Sequence, residues 1–410
     1  MSVEGPAPTL ESPGEEPAAT VAGRLAGYVR GGGVITPLIT ALLAFLVGGL
    51  VVALTGKDPI ATYKAIFDGT GLNWFFPWIS ADERTVASLN LQQTLILTTP
   101  LILTGLAVAF AFRCGLFNIG GQGQYLVGTY AAVWAGSSFE SMPHVVHVLV
   151  CIFAACFAGA AWAGIAGILK ATTGTNEVIS TIMLNWIAIW VGSWLFTLGG
   201  PLQTDTDKSV PVSPDIFPGA KLPVFWGDPE LQGLHVGFFV ALAALLVFWV
   251  VLNRTVTGYE IRATGFNPDA AQASGISVGR NYFLAMAVCG LFAGLAGALD
   301  ILGWQFRVAT NDIQISQIGF LGIAVALLGR NTAIGTMFAA LLFGALLTGT
   351  SVRNLDPAVF QPELAGALTS IIQGLIVLLV SADILVVYLW RLRRRLKLRG
   401  RGNATAEAGA

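Results

Sequence analysis

Long runs without a charged residue dominate the chain and divide it into ten apolar segments. Most of these runs hold about twenty residues or more, the length that a helix needs to cross a bilayer core of about 30 Å. They are continuously apolar, so they predict membrane-spanning helices and argue against a barrel of short alternating strands. The runs lie between Arg30 and Lys57, Arg84 and Arg113, Arg113 and Glu140, Glu140 and Lys170, Glu177 and Asp205, Glu230 and Arg254, Arg280 and Asp300, Asp312 and Arg330, Arg330 and Arg353, and Glu363 and Asp383.

Composition agrees with this interpretation. Of the 410 residues, 55% are apolar and only 11% are charged, whereas a soluble domain usually carries about 25% charge. The sequence therefore predicts an all-α membrane protein, a polytopic helical bundle of about ten transmembrane spans. We expect residues 31–390 to form the transmembrane domain, between a disordered cytoplasmic tail at 1–30 and a basic cytoplasmic tail at 391–410.

The basic residues lie unevenly on the two sides of this arrangement. If the N-terminus is cytoplasmic and ten spans alternate, 15 of the 22 Lys and Arg residues fall on the cytoplasmic side and seven on the outer side. Cytoplasmic loops carry such an excess, so we expect both termini in the cytoplasm of a multi-pass protein of the cell membrane. The first 22 residues, rich in Pro, Glu and Ala, lack the pattern of a signal peptide.

A glycine-rich segment interrupts the third run, where Arg113–Gln124 reads RCGLFNIGGQGQ. Four glycines beside three amides are unsuited to a regular lipid-facing helix and predict a broken third helix, whose freed backbone groups line a solute path. We expect Asn118, Gln122 and Gln124 to contact solute, with Asn185 as a second line. The alternative is a cytoplasmic loop with glycines that pack helices.

The eighth run has a counterpart to this break. Dividing the ten runs after the fifth gives two halves of opposite orientation, and the third run of each half is short or interrupted by glycine, as in Gly319–Gly335. Corresponding interrupted segments in an inverted repeat indicate a transport site. Small residues also favour close helix packing at the Gly290 and Gly294 pair and at Gly159 with Ala163.

A polar stretch from 253 to 282 falls on the predicted cytoplasmic side. Pro268 would begin a short helix there, with Asp269 in its first turn, where a carboxylate suits the helix dipole. The small residues Ala271 and Gly275 would let this helix lie close to another protein. The alternative is an ordinary interfacial connector.

Motifs of catalysis and nucleotide binding are missing. The sequence has no Gly-Lys-Ser or Gly-Lys-Thr phosphate loop and no His-Glu-x-x-His. The net charge of −1 predicts no affinity for nucleic acid, and the four cysteines lack metal or disulfide spacing. We expect neither an enzyme nor a protein that holds its own cofactor or metal.

Four segments resemble the signature segments of ABC-transporter permeases in the sugar and nucleoside uptake branch, and the nucleoside permeases most of all. They occur in the expected order, and the resemblance spans roughly Val34 to Trp390. The segments are GLFNIGGQGQ (Gly115–Gln124), TNEVISTIMLNWIA (Thr175–Ala188), GYEIRATGFNPDAAQASGI (Gly258–Ile276) and GIAVALLGRNTAIG (Gly322–Gly335).

This resemblance implies a permease subunit that works with a second homologous permease, a cytoplasmic ATPase that binds the ATP, and an external solute-binding protein, all at a lipid membrane. It also implies that the polar stretch contains a coupling helix pressed against the ATPase. Glu260, Arg262 and Asp269 would contact the ATPase or hold the helix in place. The other residues of this expected contact are Asn267, Pro268, Ala271 and Gly275.

Other observations leave alternatives open. Trp186, Trp190 and Trp194 form one helical stripe, which suits lipid contact or the stacking of a flat nucleobase. Asp300 is expected at the outer end of the seventh span, where a docking partner would meet it. A self-sufficient secondary transporter or channel for a small polar solute is the second function class, for which Asp383 is the candidate ion-coupling carboxylate.

Overall fold

The computed structural model describes residues 35–228, 233–351, 354 and 362–381. Both predicted tails and Asp383 lie outside the described residues. The helices are α1 Ile35–Leu54, α2 Pro59–Thr70, α3 Ala81–Arg113, α4 Gly121–Ser138, α5 His144–Thr173, α6 Glu177–Phe196, α7 Gly237–Arg254, α8 Val256–Phe266, α9 Pro268–Ala273, α10 Val278–Asp300, α11 Thr310–Ile315, α12 Ile318–Leu328, α13 Ala333–Gly349 and α14 Pro362–Ser381. A π-helical turn spans Ile301–Gln305, short 3-10 turns span Leu72–Phe75 and Pro218–Ala220, and strands β1 Val224–Trp226 and β2 Leu234–His235 pair antiparallel.

Each of the ten apolar runs contains a helix, which confirms the prediction of a polytopic helical bundle. Within the described part of the chain, seven helices are long and apolar enough to cross a membrane, counting α11 and α12 together, and α13 and part of α14 form shorter apolar helices. The helix of the third run, α4, is not among the seven. Its glycines, amides and hydroxyls reduce its apolar content, in keeping with a position inside the bundle.

The centre of the bundle is α3, a helix of 33 residues. It begins with a capping box, in which the Ser80 hydroxyl accepts from the Glu83 backbone and the Glu83 carboxylate accepts from the Ser80 backbone. Its segment from Leu101 to Ala111 is buried throughout, because α7, α10, α12 and α13 all pack around it. A helix segment that is apolar on every side suits either lipid or a protein core, and this one is enclosed by protein.

Helices α5 and α10 approach each other closely at the predicted small residues. A Cβ atom added to Gly290 would lie 2.0 Å from the Gly159 carbonyl oxygen, and one added to Gly294 would lie 2.3 Å from the Ala155 carbonyl oxygen. The prediction that these glycines bring two helices close together is confirmed.

The two ends of the bundle differ. Residues 197–228 and 233–236, which we call the cap, cover one end and pair with segment 302–310 through backbone hydrogen bonds. The opposite end, where α3 ends at Arg113 and α7 ends at Arg254, carries α8 and α9, and we call it the basic end. The positive-inside rule predicts that the basic end is cytoplasmic.

Candidate functional site

The candidate solute path is centred on a break between α3 and α4. After Arg113, residues 114–120 are not helical, and α4 begins at Gly121. In the first turn of α4, Gln122 donates from Nε2 to the Ser316 carbonyl at 2.9 Å. Because Ser316 lies just before α12, the beginnings of α4 and α12 meet there. The predicted break in the third run is thus present.

This meeting point lies well inside the bundle. The Thr104 hydroxyl of α3 approaches the carbonyl of Ile318, the first residue of α12, at 3.3 Å. Thr104 precedes Arg113 by nine residues, which is about 14 Å along a helix. The segment after Arg113 therefore runs back along α3, and both helices begin about 14 Å inward from the Arg113 end of α3. We call this meeting of two helix N-termini the junction.

Asn118 and Gln124 form a closed pair of amides at the junction. Asn118 Nδ2 donates to Gln124 Oε1, and Gln124 Nε2 donates to Asn118 Oδ1, both at 3.0 Å. Asn118 Oδ1 also accepts from the Gly120 backbone at 2.9 Å. The pair bridges the non-helical segment and the first turn of α4, so it stabilises the break itself.

The other two amides join the break to neighbouring helices. Asn185 of α6 accepts from the Gly123 backbone at 2.8 Å and donates to the Ile119 carbonyl at 2.9 Å. Gln122 accepts from the Gly319 backbone at 2.8 Å, in addition to its bond to Ser316. Backbone groups that lack helical partners at the break are thus bonded by side chains, as an apolar environment requires.

The structure brings all four sequence-predicted amides together. Asn118 and Gln122 are 0% exposed, Gln124 is 1% exposed and Asn185 is 2% exposed. In this arrangement each of them is hydrogen-bonded within the chain, and all four are uncharged. Their role as contacts for solute stays a prediction.

Glycines set the distance across the junction. A Cβ atom added to Gly319 would lie 2.3 Å from both the backbone N and the Cα of Gln122, and one added to Gly121 would lie 3.2 Å from the Gly319 carbonyl oxygen. The two interrupted segments that sequence symmetry paired therefore touch at their glycines. An inverted repeat of the whole chain stays a prediction.

A contact at the basic end joins the end of α3 to the connection between α12 and α13. Arg113 donates to the Asn331 carbonyl from Nη2 at 2.8 Å and from Nε at 3.2 Å. Arg330 and Asn331, between α12 and α13, have φ of 52° and 53°, a left-handed conformation that side chains disfavour. The sequence interpretation missed this contact, because no sequence pattern marks an Arg-Asn pair that adopts positive φ.

The predicted coupling helix is α9. Asn267 caps it by accepting from the Ala270 backbone at 3.1 Å, and Pro268 occupies its first position. The remaining predicted contact residues differ in exposure: Asn267, Pro268, Asp269 and Gly275 are exposed, Glu260 and Arg262 are half-buried, and Ala271 is buried. Ala271 is only 4% exposed and packs into its own chain. A substitution there would report on the fold of α9 and not on a contact with another protein.

Phe266, at the end of α8, is the residue that the sequence interpretation missed at this surface. It is 92% exposed, and Tyr259 and Val256 on the same face of α8 are 61% and 74% exposed. The sequence did carry a signal for this face. Val256 and Tyr259 are three residues apart, and Tyr259 and Phe266 are seven apart, a spacing that places all three on one face of a short helix.

The tryptophan stripe lies on the outside of α6. Trp186, Trp190 and Trp194 are 57%, 64% and 62% exposed, on the side of the helix away from Asn185. They line a shallow apolar groove together with Met183, Ile187 and Val191. The stripe faces away from the junction, so stacking of a nucleobase at the junction does not use it in this arrangement.

Asp300 is not exposed, and the expectation that a docking partner would meet it is wrong. It is 2% exposed, at the end of α10. It accepts from the Tyr125 hydroxyl, from Trp304 Nε1 at 2.6 Å and from Gln305 Nε2 at 3.3 Å. These donors lie on α4 and in the π-helical turn, and they replace the water that an exposed carboxylate would have.

Comparison with known proteins gives one family. The sequence model of a family described as the permease component of branched-chain amino acid transport systems matches residues 90–381. Among curated proteins, the guanosine ABC transporter permease protein NupP of Bacillus subtilis (strain 168) is 37% identical over 349 residues, 85% of this chain and 93% of its own length.

Two further relatives vary in substrate and distance. The glucose ABC transporter permease protein TsgB13 of Haloferax volcanii is 35% identical over 352 residues, 84% of this chain and 86% of its own length. The guanosine ABC transporter permease protein NupQ of Bacillus subtilis (strain 168) is 29% identical over 286 residues, 67% of this chain and 86% of its own length.

Proposed function

The chain belongs to the family of permease components of branched-chain amino acid transport systems, and from this membership we propose that it is the permease subunit of an ATP-driven nucleoside importer. The family consists of transport components, so the chain is a multi-pass membrane protein and not an enzyme. The observation that carries the proposal is the junction, where two helices begin inside the bundle among four uncharged amides. ATP binds to a separate subunit.

Nucleosides are the substrate class that we favour, with simple sugars as the alternative. Two of the three relatives described above carry guanosine in their names, and the third carries glucose. Both solutes are neutral and rich in hydroxyl groups. Amides that donate and accept hydrogen bonds suit such solutes, and the edge of a nucleobase offers additional partners to them.

We place the solute path at Asn118, Gln122, Gln124 and Asn185. Solute would enter when the junction opens, and its hydroxyl groups or base edge would replace amide-to-amide and amide-to-backbone bonds. The exchange would leave each amide bonded in both states, so opening would not strand polar groups in an apolar environment. Helix N-termini that face a site near the middle of the membrane are typical of transporters.

A second permease subunit is part of the proposal. NupP and NupQ come from the same organism and share the name of a guanosine transporter, and this chain resembles both. Two homologous permeases in one transporter would explain that naming. We therefore propose a heteromeric pair with an ATPase at the basic end and a solute-binding protein at the cap, which places both termini in the cytoplasm.

The contact with the ATPase is placed at α8 and α9. Phe266, Asp269 and Gly275 are exposed beside one another in the chain, at the end of the bundle that the positive-inside rule assigns to the cytoplasm. An aromatic side chain that is 92% exposed in water is a typical anchor of an interface. Glu260 and Arg262 are half-buried in α8 and would hold the surface in place.

Transport in proteoliposomes tests the proposal. The chain is reconstituted alone, and together with a candidate second permease and a candidate ATPase. Uptake of labelled guanosine and of labelled glucose is measured with the solute-binding protein, which is the receptor for the solute, outside the vesicles. We expect uptake of guanosine that needs both the ATPase and internal ATP. Uptake by the chain alone, driven by a proton or sodium gradient, would instead establish a secondary transporter.

A further inference from the structure

Asp300 is a carboxylate buried inside a membrane protein, and the solute path described above does not use it. Among the described residues, no Lys or Arg forms an ion pair with it. Its partners are the Tyr125 hydroxyl of α4 and the side chains of Trp304 and Gln305 in the π-helical turn. A buried carboxylate without a countercharge is costly and is retained where it has a function.

On one side, Asp300 is joined to the cap. The π-helical turn begins at the next residue, and the cap follows it through backbone bonds from Leu222 to Leu302 at 2.7 Å, from Ile216 to Phe306 at 2.9 Å and from Ser213 to Val308 at 2.8 Å. These bonds are backbone to backbone, so the cap and segment 302–308 move together.

The cap also packs against the turn through a side chain. His235 of β2 is 1% exposed, and a Cβ atom added to Gly303 would lie 2.2 Å from its Nε2 atom. Burial lowers the pKa of His235 to about 4, so its ring is neutral at physiological pH. A neutral ring in tight contact is a rigid connection between β2 and the turn.

On its other side, Asp300 is joined to the beginning of α4. Tyr125 directly follows Gln124, a member of the amide pair at the junction. The backbones are also close there, because a Cβ atom added to Gly297 of α10 would lie 2.5 Å from the Tyr125 carbonyl oxygen. A displacement of the π-helical turn therefore reaches the first two turns of α4 through Asp300.

We propose that Asp300 is a positioning residue that transmits docking of the solute receptor on the cap to the start of α4 at the junction. The inference rests on the proposed function, since it requires a receptor and an ATPase. Asp300 does not contact solute. It keeps α4 and the π-helical turn in register, so that a shift of the cap changes the amide pair next to Tyr125.

Two variants distinguish a role of Asp300 in transmitting receptor docking from a role in stabilising the fold. Tyr125→Phe removes one hydroxyl and leaves the bonds from Trp304 and Gln305 to Asp300 intact. Asp300→Asn preserves the shape of the side chain, but it replaces one accepting oxygen by a donating NH2 group. That group would face the three donors that surround Asp300. Asp312→Asn is the matched control, because Asp312 is exposed on α11, beyond the same end of α10.

The measurement is ATP hydrolysis by the complete transporter in lipid nanodiscs, with and without solute-loaded receptor. For Tyr125→Phe and Asp300→Asn we expect stimulation by the receptor to fall about tenfold, within the usual range of coupling between sites, while hydrolysis without receptor stays within about twofold of wild type. Stimulation in the double variant should be no lower than in the more impaired of the two single variants, because both substitutions remove the same connection. Asp312→Asn should behave as wild type.

Other results would overturn the inference. If both variants lower hydrolysis with and without receptor in the same proportion, Asp300 only supports the fold. If stimulation by the receptor is unchanged, the connection through Asp300 carries no signal. If Asp300→Asn does not assemble, Tyr125→Phe decides the question by itself. A wild-type complex without receptor-stimulated hydrolysis would contradict the proposed function, which is distinguishable from failure of the variants alone.

Discussion

The junction and the α8–α9 surface both lie where a helix is interrupted, yet they differ in which side chains they bury. The junction buries polar side chains, whereas the α8–α9 surface exposes apolar ones. At the junction, the amides of Asn118, Gln122, Gln124 and Asn185 are buried and hydrogen-bonded within the chain. At α8–α9, Phe266 is 92% exposed.

The surroundings of each break explain the difference. A chain break inside an apolar environment must bond its own backbone groups, because no water is present to do so. A break at the membrane surface has water for its polar groups, so its exposed apolar side chains are free to serve a partner. The first site is therefore complete within one chain, whereas the second, if the proposed function is right, is completed by the ATPase.

The largest effect should come from closing the gap at the junction with one methyl group. In Gly319→Ala, the new Cβ would lie 2.3 Å from backbone atoms of Gln122, which cannot rotate away, so α4 and α12 must separate. We expect transport to fall by roughly tenfold or more, together with a lower yield of folded protein.

Gly374→Ala is the control for this substitution, since a Cβ atom added to Gly374 meets nothing within 4 Å. That variant should transport as wild type. Normal uptake by Gly319→Ala would show that the junction accommodates the added methyl group, and that close contact between its glycines is not needed for transport.

A second effect should appear when the junction loses one amide. Asn185→Ala leaves the Gly123 N–H and the Ile119 carbonyl without their partner, at a cost of about 1 to 3 kcal/mol in the free energy of unfolding. Thermal unfolding in detergent measures it. Trp186→Ala is the neighbouring control on the exposed face, and equal stability of the two variants would contradict the role given to Asn185.

The α8–α9 surface should respond in the opposite manner. Phe266→Ala should leave the unfolding temperature unchanged, because the ring is almost fully exposed, but should weaken binding of the ATPase by roughly tenfold, as loss of an interface anchor does. Co-purification and titration with the ATPase measure this. Phe153→Ala, 71% exposed on α5, is the matched control, and equal loss of binding in both variants would remove Phe266 from the contact.

The smallest effects should come from residues in left-handed conformation. Asn331→Gly removes a side chain at φ 53° while keeping the carbonyl that accepts from Arg113, and should raise stability by a few tenths of a kcal/mol, roughly. Gly275→Ala, at φ 82° with open space around it, should lower stability by about 1 kcal/mol. Differential scanning fluorimetry measures both, and shifts of the same sign would exclude backbone strain as the cause.

The sequence was sufficient for the helices and the break because both follow from local composition. Charge-free runs must become helices in a membrane, and the glycines and amides in the run after Arg113 indicated where the helical path is interrupted. The amides at the break were found for the same reason. Their partners could not be predicted, since Gln122 bonds to Ser316 and Gly319 almost two hundred residues away.

Asp300 shows where local interpretation failed. A carboxylate at the end of an apolar run ordinarily reaches water, and the expectation that a docking partner would meet Asp300 requires that it does. Its burial depends on Tyr125, which lies 175 residues earlier in the chain, and on a π-helical turn that periodicity does not reveal. Contacts between distant segments decide burial, and they are not visible in any single window of sequence.

The absence of formal charge on the four amides of the junction has an electrical consequence. A charge that crosses a membrane gains or loses about 2.3 kcal/mol for each 100 mV of potential. Asn118, Gln122, Gln124 and Asn185 are neutral, and a neutral solute that exchanges bonds with them carries no current. The voltage across the membrane would then neither assist nor oppose each transport cycle, and accumulation would follow the supply of ATP at any membrane potential.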